Sequence, residues 1–419
     1  MRRWILLLCA FLFLAACSKD KDVDKPAALV PFSATLKVDK VWSAKVGDKK
    51  SVVLRLGLGL GVEGARVYAA GRKGEVAAFD LSSGHEVWHV RTKTQLSGGT
   101  GVGADLVIVG TSKGQVIALH EKNGATAWKV NVDGEILAPP AISEHLIVLR
   151  TVDGKLHGLA PADGHELWVQ DQQVPRLSLR GTATPVFSGD LVLCGFDNGK
   201  VVALNAGDGS VQWETTVSPA HGRTELERLV DIDSAVDVSG GNVYAVGFQG
   251  RVAMLKLDTG QVWWAHDASS YHGLGLDDDS LYMASADGNV VALRKGTGAE
   301  IWRQKALQYR RLSAPGVSDT SIIVGDYKGY VHWLDKATGG LQARASTSKV
   351  SISQAPIVSG NMVIVINDAG AITAFRTRPI AGAKTVALPP PPPAPAAQKD
   401  NVEAPSTPAD QTVTPPKQD

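Results

Sequence analysis

Cysteine is nearly absent, with three residues in 419: Cys9, Cys17 and Cys194. Two of them fall within the first seventeen positions. The body of the chain therefore has a single thiol, too few for a disulfide framework or a cysteine metal site. Within "DLVLCGF", Cys194 reads as a small buried apolar residue. Net charge is also scarce, since 43 Lys and Arg against 42 Asp and Glu leave +1. Nothing in that balance favours nucleic acid as a partner. No phosphate-binding P-loop occurs. His85 and His89 lie close together in the chain and the other histidines are scattered, so no metal constellation is expected. The acidic run Asp277, Asp278 and Asp279 sits in a turn-like stretch and reads as a solvated loop.

What is present begins at the N-terminus. "MRRWILLLCAFLFLAACS" has two arginines, an apolar run of about a dozen residues and then small residues. This is the layout of a secretory signal, too short and wrongly flanked to span a membrane. Its ending, Leu14-Ala15-Ala16-Cys17, resembles the bacterial lipoprotein signal, in which the chain is cut before an acylated cysteine. The alternative is an ordinary signal peptide with a chance cysteine. Ser18 stands where an aspartate would retain such lipoproteins at the inner membrane, so the resemblance implies the outer membrane. Acyl chains contribute about 0.8 kcal/mol per buried CH₂, so the chain is expected to be tethered to a membrane without crossing it. Removal of residues 1–16 takes out Arg2 and Arg3 and lowers the basic count from 43 to 41, against 42 acidic.

Residues 17–37 are polar and proline-containing without period, and read as a flexible spacer with a reach of about 60–70 Å. Residues 379–419 contain "LPPPPPAPAAQ" and cannot bury enough apolar surface to fold. A solvated tail is expected there, with contact to cell wall or a partner as the alternative.

Between these ends the chain repeats itself. "KGEVAAFDLSSGHEVW", "KGQVIALHEKNGATAW" and "DGKLHGLAPADGHELW" align, and further copies follow. Leading glycines recur at Gly74, Gly114, Gly154, Gly199, Gly250, Gly288, Gly329 and Gly370. Seven have a second glycine ten residues on, and six of those a tryptophan four later: Trp88, Trp128, Trp168, Trp213, Trp264 and Trp302. The "KG", "DG", "NG" and "QG" pairs supply the positive φ of tight hairpins between alternating runs. Four short strands fit each unit of about forty residues, which predicts an all-β, eight-bladed propeller of four-stranded antiparallel blades over residues 38–378. A large aromatic at one blade position fills the wedge between sheets. The alternative is that the tryptophans line a carbohydrate or quinone site. The eighth unit stops before its tryptophan, whereas Trp42 in "DKVWSAKVG" has no upstream copy. The N-terminal strand is therefore expected to complete the last blade and leave no open edge. Ala343 occupies the tryptophan slot of the seventh unit, so that wedge is filled differently.

Two connections exceed the template. Trp88 to Asp105 and Trp128 to His145 each span seventeen residues, whereas Trp168 to Asp190 spans 22 and Trp213 to Asn242 spans 29. They follow consecutive blades at equivalent places, so they emerge side by side, and insertions in repeat proteins usually build the binding face. "VPRLSLRG" is expected to set Leu177 and Leu179 on one side of an extended segment, with Arg176, Ser178 and Arg180 on the other. "PAHGRTELERLVDIDSAVDV" offers Glu225, Glu227, Asp231 and Asp233 near Arg223 and Arg228. Exposed leucines beside arginine, opposite acidic residues, suit a protein partner. The alternative is that both leucines belong to the next blade and Arg180 pairs internally with Asp231 or Asp233.

The blade motif resembles the quinoprotein-type propeller repeat. With the lipoprotein signal and eight such blades, the chain resembles the BamB family of outer-membrane protein assembly factors from Cys17 to about Arg378. "LSLRG" and "ERLVDID" are its more specific segments, and the proline-rich extension departs from the family pattern. The resemblance implies a non-enzymatic lipoprotein on the periplasmic face of the outer membrane, without cofactor or metal. It further implies that Leu177, Leu179, Arg180, Asp231 and Asp233 contact the periplasmic domains of BamA, the core subunit of the barrel assembly complex. Other subunits, and unfolded outer-membrane proteins held by β-augmentation, are further implied partners. The rivals are a quinone-dependent dehydrogenase and a cell-wall-binding lipoprotein. The first needs calcium, a carboxylate base and, in that family, adjacent cysteines that this chain lacks.

Overall fold

A computed structural model of the chain describes residues 24–47, 58–175, 177–179, 183–383 and 388. The strands form eight four-stranded antiparallel sheets. Seven are sequential meanders, at 61–91, 101–131, 141–171, 186–216, 237–268, 275–304 and 316–346, hereafter blades 1 to 7. The eighth sheet has Ile357–Ser359, Met362–Ile366 and Ala371–Pro379 in sequence, and its outer strand is the N-terminal Leu36–Lys45. That strand pairs antiparallel with Ala371–Pro379, so the first and last segments close the ring as the repeat count predicts.

The blade sequence explains the blade. Second and third strands such as Leu106–Gly110 and Gln115–His120 are apolar nearly throughout and buried on both faces. Outer strands such as Glu86–Arg91 alternate and bury mainly the tryptophan. Eight apolar clusters lie between successive blades, so each sheet contributes one face to each of two seams.

Each tryptophan works across a seam. The indole Nε1 of Trp128 donates to the carbonyl of Pro161 in blade 3 at 2.8 Å, and the ring covers Gly164 there. Trp42, Trp88, Trp168, Trp213, Trp264 and Trp302 make the same donation to the next blade at 2.8–3.0 Å. Gly164 has φ of 76°, and a Cβ there would stand 2.6 Å from the indole. The second glycine of the repeat therefore meets two needs, left-handed backbone and room for the ring.

Within a blade, each tryptophan lies opposite a small residue on the third strand: Ala78 faces Trp88, Ala118 faces Trp128 and Gly158 faces Trp168. In blade 7 the two exchange places, and Trp333 on the third strand faces Ala343 on the fourth. The volume is kept and the indole moves one strand inward, where it meets Phe375 edge-on at 5.7 Å. Ten residues after Gly370 stands Ile380, so the receiving glycine is lost together with the tryptophan it would receive. Blade 5 departs in two ways. Met254 replaces the small residue, and Trp264 is only half-buried. Its hairpin has the positive φ at Gln249 rather than at Gly250, and residue 250 stays glycine because a Cβ there would lie 2.1 Å from the hydroxyl of Ser218.

Candidate partner-binding face

All connections from an outer strand to the next blade, and all turns between second and third strands, lie on one face of the ring. The two long connections are there. Residues 172–185 join Glu166–Asp171 to Val186–Ser188, and residues 217–236 join Val211–Thr216 to Asp237–Ser239. They touch: the amide of Leu179 donates to Oδ2 of Asp231 at 3.1 Å. The described part of the first connection contains no strand, so the expected two-sided alternation is not what positions its leucines. Leu177 is 44% exposed and Leu179 is half-buried. Arg176 and Arg180 lie outside the described residues, as do Cys17 and nearly all of the C-terminal tail.

The second connection begins with a small closed turn. Thr224 Oγ1 accepts from the Glu227 amide at 3.2 Å, and the Glu227 carboxylate accepts from the Arg223 and Thr224 amides at 2.8 and 3.1 Å. This is the reciprocal pattern of a capping box, on a single turn. Those donors hold Glu227 below the usual carboxylate range. The turn exposes Leu226 by 69%. Leu229, Val230 and Ile232 are then buried, Ile232 in the core between blades 4 and 5.

Asp231 goes in with them, which corrects the expectation of an exposed acidic surface at this residue. It is 1% exposed and forms an antiparallel bridge with Phe248, whose amide donates to its carbonyl at 2.7 Å. The physical reason is local. Ile232 must reach the seam, and its flanking backbone is pinned by Phe196 and Phe248, so the intervening carboxylate has no route to solvent. Asp233 is half-buried, with its Oδ1 shielded from solvent. Beneath the loops, Arg150 and Asp197 form a buried ion pair. Arg150 also donates to the Gly195 carbonyl at 3.0 Å and stacks 4.5 Å above the Phe196 ring. Burial, and then repulsion from Asp197, push the Asp231 carboxyl up to about 7, against the opposing pull of Arg150. Burial and both neighbouring carboxylates push Asp233 up as well. These acids hold protons more tightly than exposed ones, and Asp231 ties the two loops together through the Leu179 amide.

Two exposed apolar groups escaped the sequence reading. Leu226 lies inside the longer insertion, and its neighbours Glu225 and Glu227 masked it as a polar stretch. Tyr271 comes from the connection after blade 5 and stacks on Phe248 at 4.5 Å, beside the Asp231 bridge. Its only signal is an aromatic in a loop of otherwise template length.

Two short motifs are disarmed by their settings. His85-Glu86-Val87-Trp88-His89 has the spacing of a zinc-protease helix, but Glu86–Arg91 is a strand. Extended backbone there sets the Cα atoms of His85 and His89 about 13 Å apart, at about 3.3 Å per residue, where a helix would bring them onto one face. Gly110-Thr111-Ser112-Lys113-Gly114 has the spacing of a nucleophile elbow, yet it turns between two antiparallel strands and no helix follows. Among the described residues no group of three His, Cys, Asp or Glu converges in metal-binding geometry. Cys194 is buried, and burial raises its thiol to about 12.

A closed ring of eight blades, sealed by tryptophan on glycine, makes this a β-propeller of the quinoprotein type. A solved quinohemoprotein alcohol dehydrogenase from Comamonas testosteroni shares the fold at TM-score 0.64 and 13% identity, covering 81% of this chain and 76% of that one. The more specific match lies elsewhere. A family profile described as outer membrane protein assembly factor BamB matches residues 72–304 and 286–379. The outer membrane protein assembly factor BamB of Pseudomonas aeruginosa is 42% identical over 373 residues, 89% of this chain and 98% of that protein. The crystal structure of BamB from Moraxella catarrhalis superposes at TM-score 0.74 and 29% identity, covering 81% of this chain and all of that one. The chain belongs to the BamB family.

Proposed function

We propose that this protein is a non-catalytic scaffold subunit of the outer-membrane barrel assembly complex that binds the periplasmic domains of BamA and aids delivery of barrel proteins. In this reading residues 1–16 are removed, Cys17 is acylated, and the propeller sits on the periplasmic face of the outer membrane. The observation that carries it is the pair of oversized connections. They are longer than the connections 92–100 and 132–140, they are hydrogen-bonded to each other, and they present Leu177 and Leu226 to solvent on one face. The seven tryptophans of the blade edges are already engaged across the seams, which leaves recognition to the loops. Leu177 and Arg180 are the proposed contact residues, with the Leu179–Asp231 hydrogen bond holding the two loops together and Asp233 half-buried beside it.

Affinity purification of the acylated protein from membranes tests this. BamA is expected to co-purify with the parent. It should be lost with Arg180→Glu combined with Leu177→Ala, while the melting temperature is unchanged. Full retention of BamA by that variant overturns the proposed face.

A further inference from the structure

The stretch expected to be free spacer is instead strapped to the ring over residues 27–35. The Ala27 amide donates to the Gln308 carbonyl at 2.9 Å, and Arg310 Nη1 donates back to the Ala27 carbonyl at 2.9 Å. Arg310 is itself fixed: buried, it grips Asp326 through Nε at 2.8 Å and Nη2 at 2.6 Å, and Asp326 also bonds His332 at 3.1 Å. Further along, Arg344 donates to the Val30 carbonyl at 3.3 Å and lies 5.1 Å over the Phe32 ring. The Thr35 amide then donates to the Gln342 carbonyl at 2.9 Å, and Leu36 begins the closing strand. The strap thus runs along the outer edge of blade 7. It starts at the connection 305–315 and ends beside Gln342, near the blade's opposite rim. Connection 305–315 is an outer-to-inner link, so the strap starts on the same face as the two long connections.

We infer that this strap turns the loop-bearing face of the propeller toward the bilayer, with the rim of blades 6 and 7 nearest the lipid. The inference rests on the proposed acylation of Cys17. With residues 17–35 free, the tether would reach about 60–70 Å and impose no orientation. With Ala27 pinned and Asp24 beside Tyr309, seven residue steps separate Cys17 from the ring. At about 3.3–3.6 Å each, that allows about 25 Å. A propeller held that close by one rim presents that rim's face to the membrane. The partner is therefore met on the membrane side of the ring. The opposite face receives the start of the proline-rich tail, since the Leu388 amide reaches the Thr338 carbonyl at 3.5 Å.

Native thiols leave the experiment clean, because Cys194 is buried and Cys17 carries the lipid. Single cysteines at Lys328 and Glu225, on the loop-bearing face, are compared with Ala337 and Asp258 on the other, in full-length acylated protein on vesicles containing an acceptor dye. Energy transfer is expected to be strongest from Lys328 and stronger from Glu225 than from Asp258. Inserting about twenty Gly and Ser residues before Asp24 should erase those differences. Equal transfer from both faces without the insertion, or no change on adding it, overturns the inference. A protein that does not associate with the vesicles, or associates equally as Cys17→Ala, overturns the anchor and this inference with it.

Discussion

A tryptophan at a blade edge combines two contributions, burial and one hydrogen bond, and blade 7 separates them. Trp128 covers Gly164 and donates to Pro161, so replacement by Phe keeps most of the burial and loses the bond. Trp333 is 1% exposed, but its Nε1 has no partner among the described residues. A buried donor left unmade costs about 1–3 kcal/mol. Trp333→Phe is therefore expected to be nearly neutral in chemical denaturation, whereas Trp128→Phe should cost about 1–2 kcal/mol. Equal losses at the two sites would refute this account of the exchange. The exchange was half legible in the chain. Ala343 in a tryptophan slot announced an altered wedge, but only strand register identified Trp333 as the replacement, because cross-strand neighbours are set by pairing and not by spacing.

The closing strand is the element on which the ring depends. Leu36–Lys45 gives blade 8 its fourth strand, brings Trp42 to Gly84 of blade 1 and covers the edge of Ala371–Pro379. Without it the ring has an open edge and an empty seam at once. Deleting residues 36–45 is expected to abolish the single cooperative thermal transition and to promote aggregation through the exposed edge. A variant that melts like the parent would show that closure contributes little. This strand was visible beforehand as a tryptophan without a repeat. The strap preceding it was not. Its anchors are two arginines some three hundred residues away, Arg310 in the connection 305–315 and Arg344 in a blade strand, and neither stands out in the sequence.

At the scale of the whole molecule, the ring buries several carboxyls, and this shapes the pH dependence of stability. Asp237, on the innermost strand of blade 5, is pushed up to about 7 by burial. An unfolded aspartate titrates near 3.9. Between about pH 4 and 7 the folded chain thus keeps a proton that the unfolded chain has released, and this contribution to stability falls as pH rises through that window. Below about pH 4 both states are protonated and the term is constant. Asp237→Asn removes the titration, so its melting temperature should gain on the parent progressively from pH 5 to pH 8. A constant difference across that range would exclude Asp237 as a source of the slope.

What the amino-acid order determined alone was most of what recurs: the all-β class, eight blades, their turns, tryptophans that fill the wedges and the closure by an orphan strand. Repetition makes those features readable, since the same local chemistry is written eight times and chance cannot sustain the spacing. Folding in three dimensions decided what occurs once. Asp231 reads as a charged surface residue but is carried inward by Ile232, and residues 27–35 read as spacer but are bound by Arg310 and Arg344, some three hundred residues away in the chain. Both outcomes depend on contacts between segments far apart in the chain, where a single residue's environment is set by its neighbours in space rather than by its own preference.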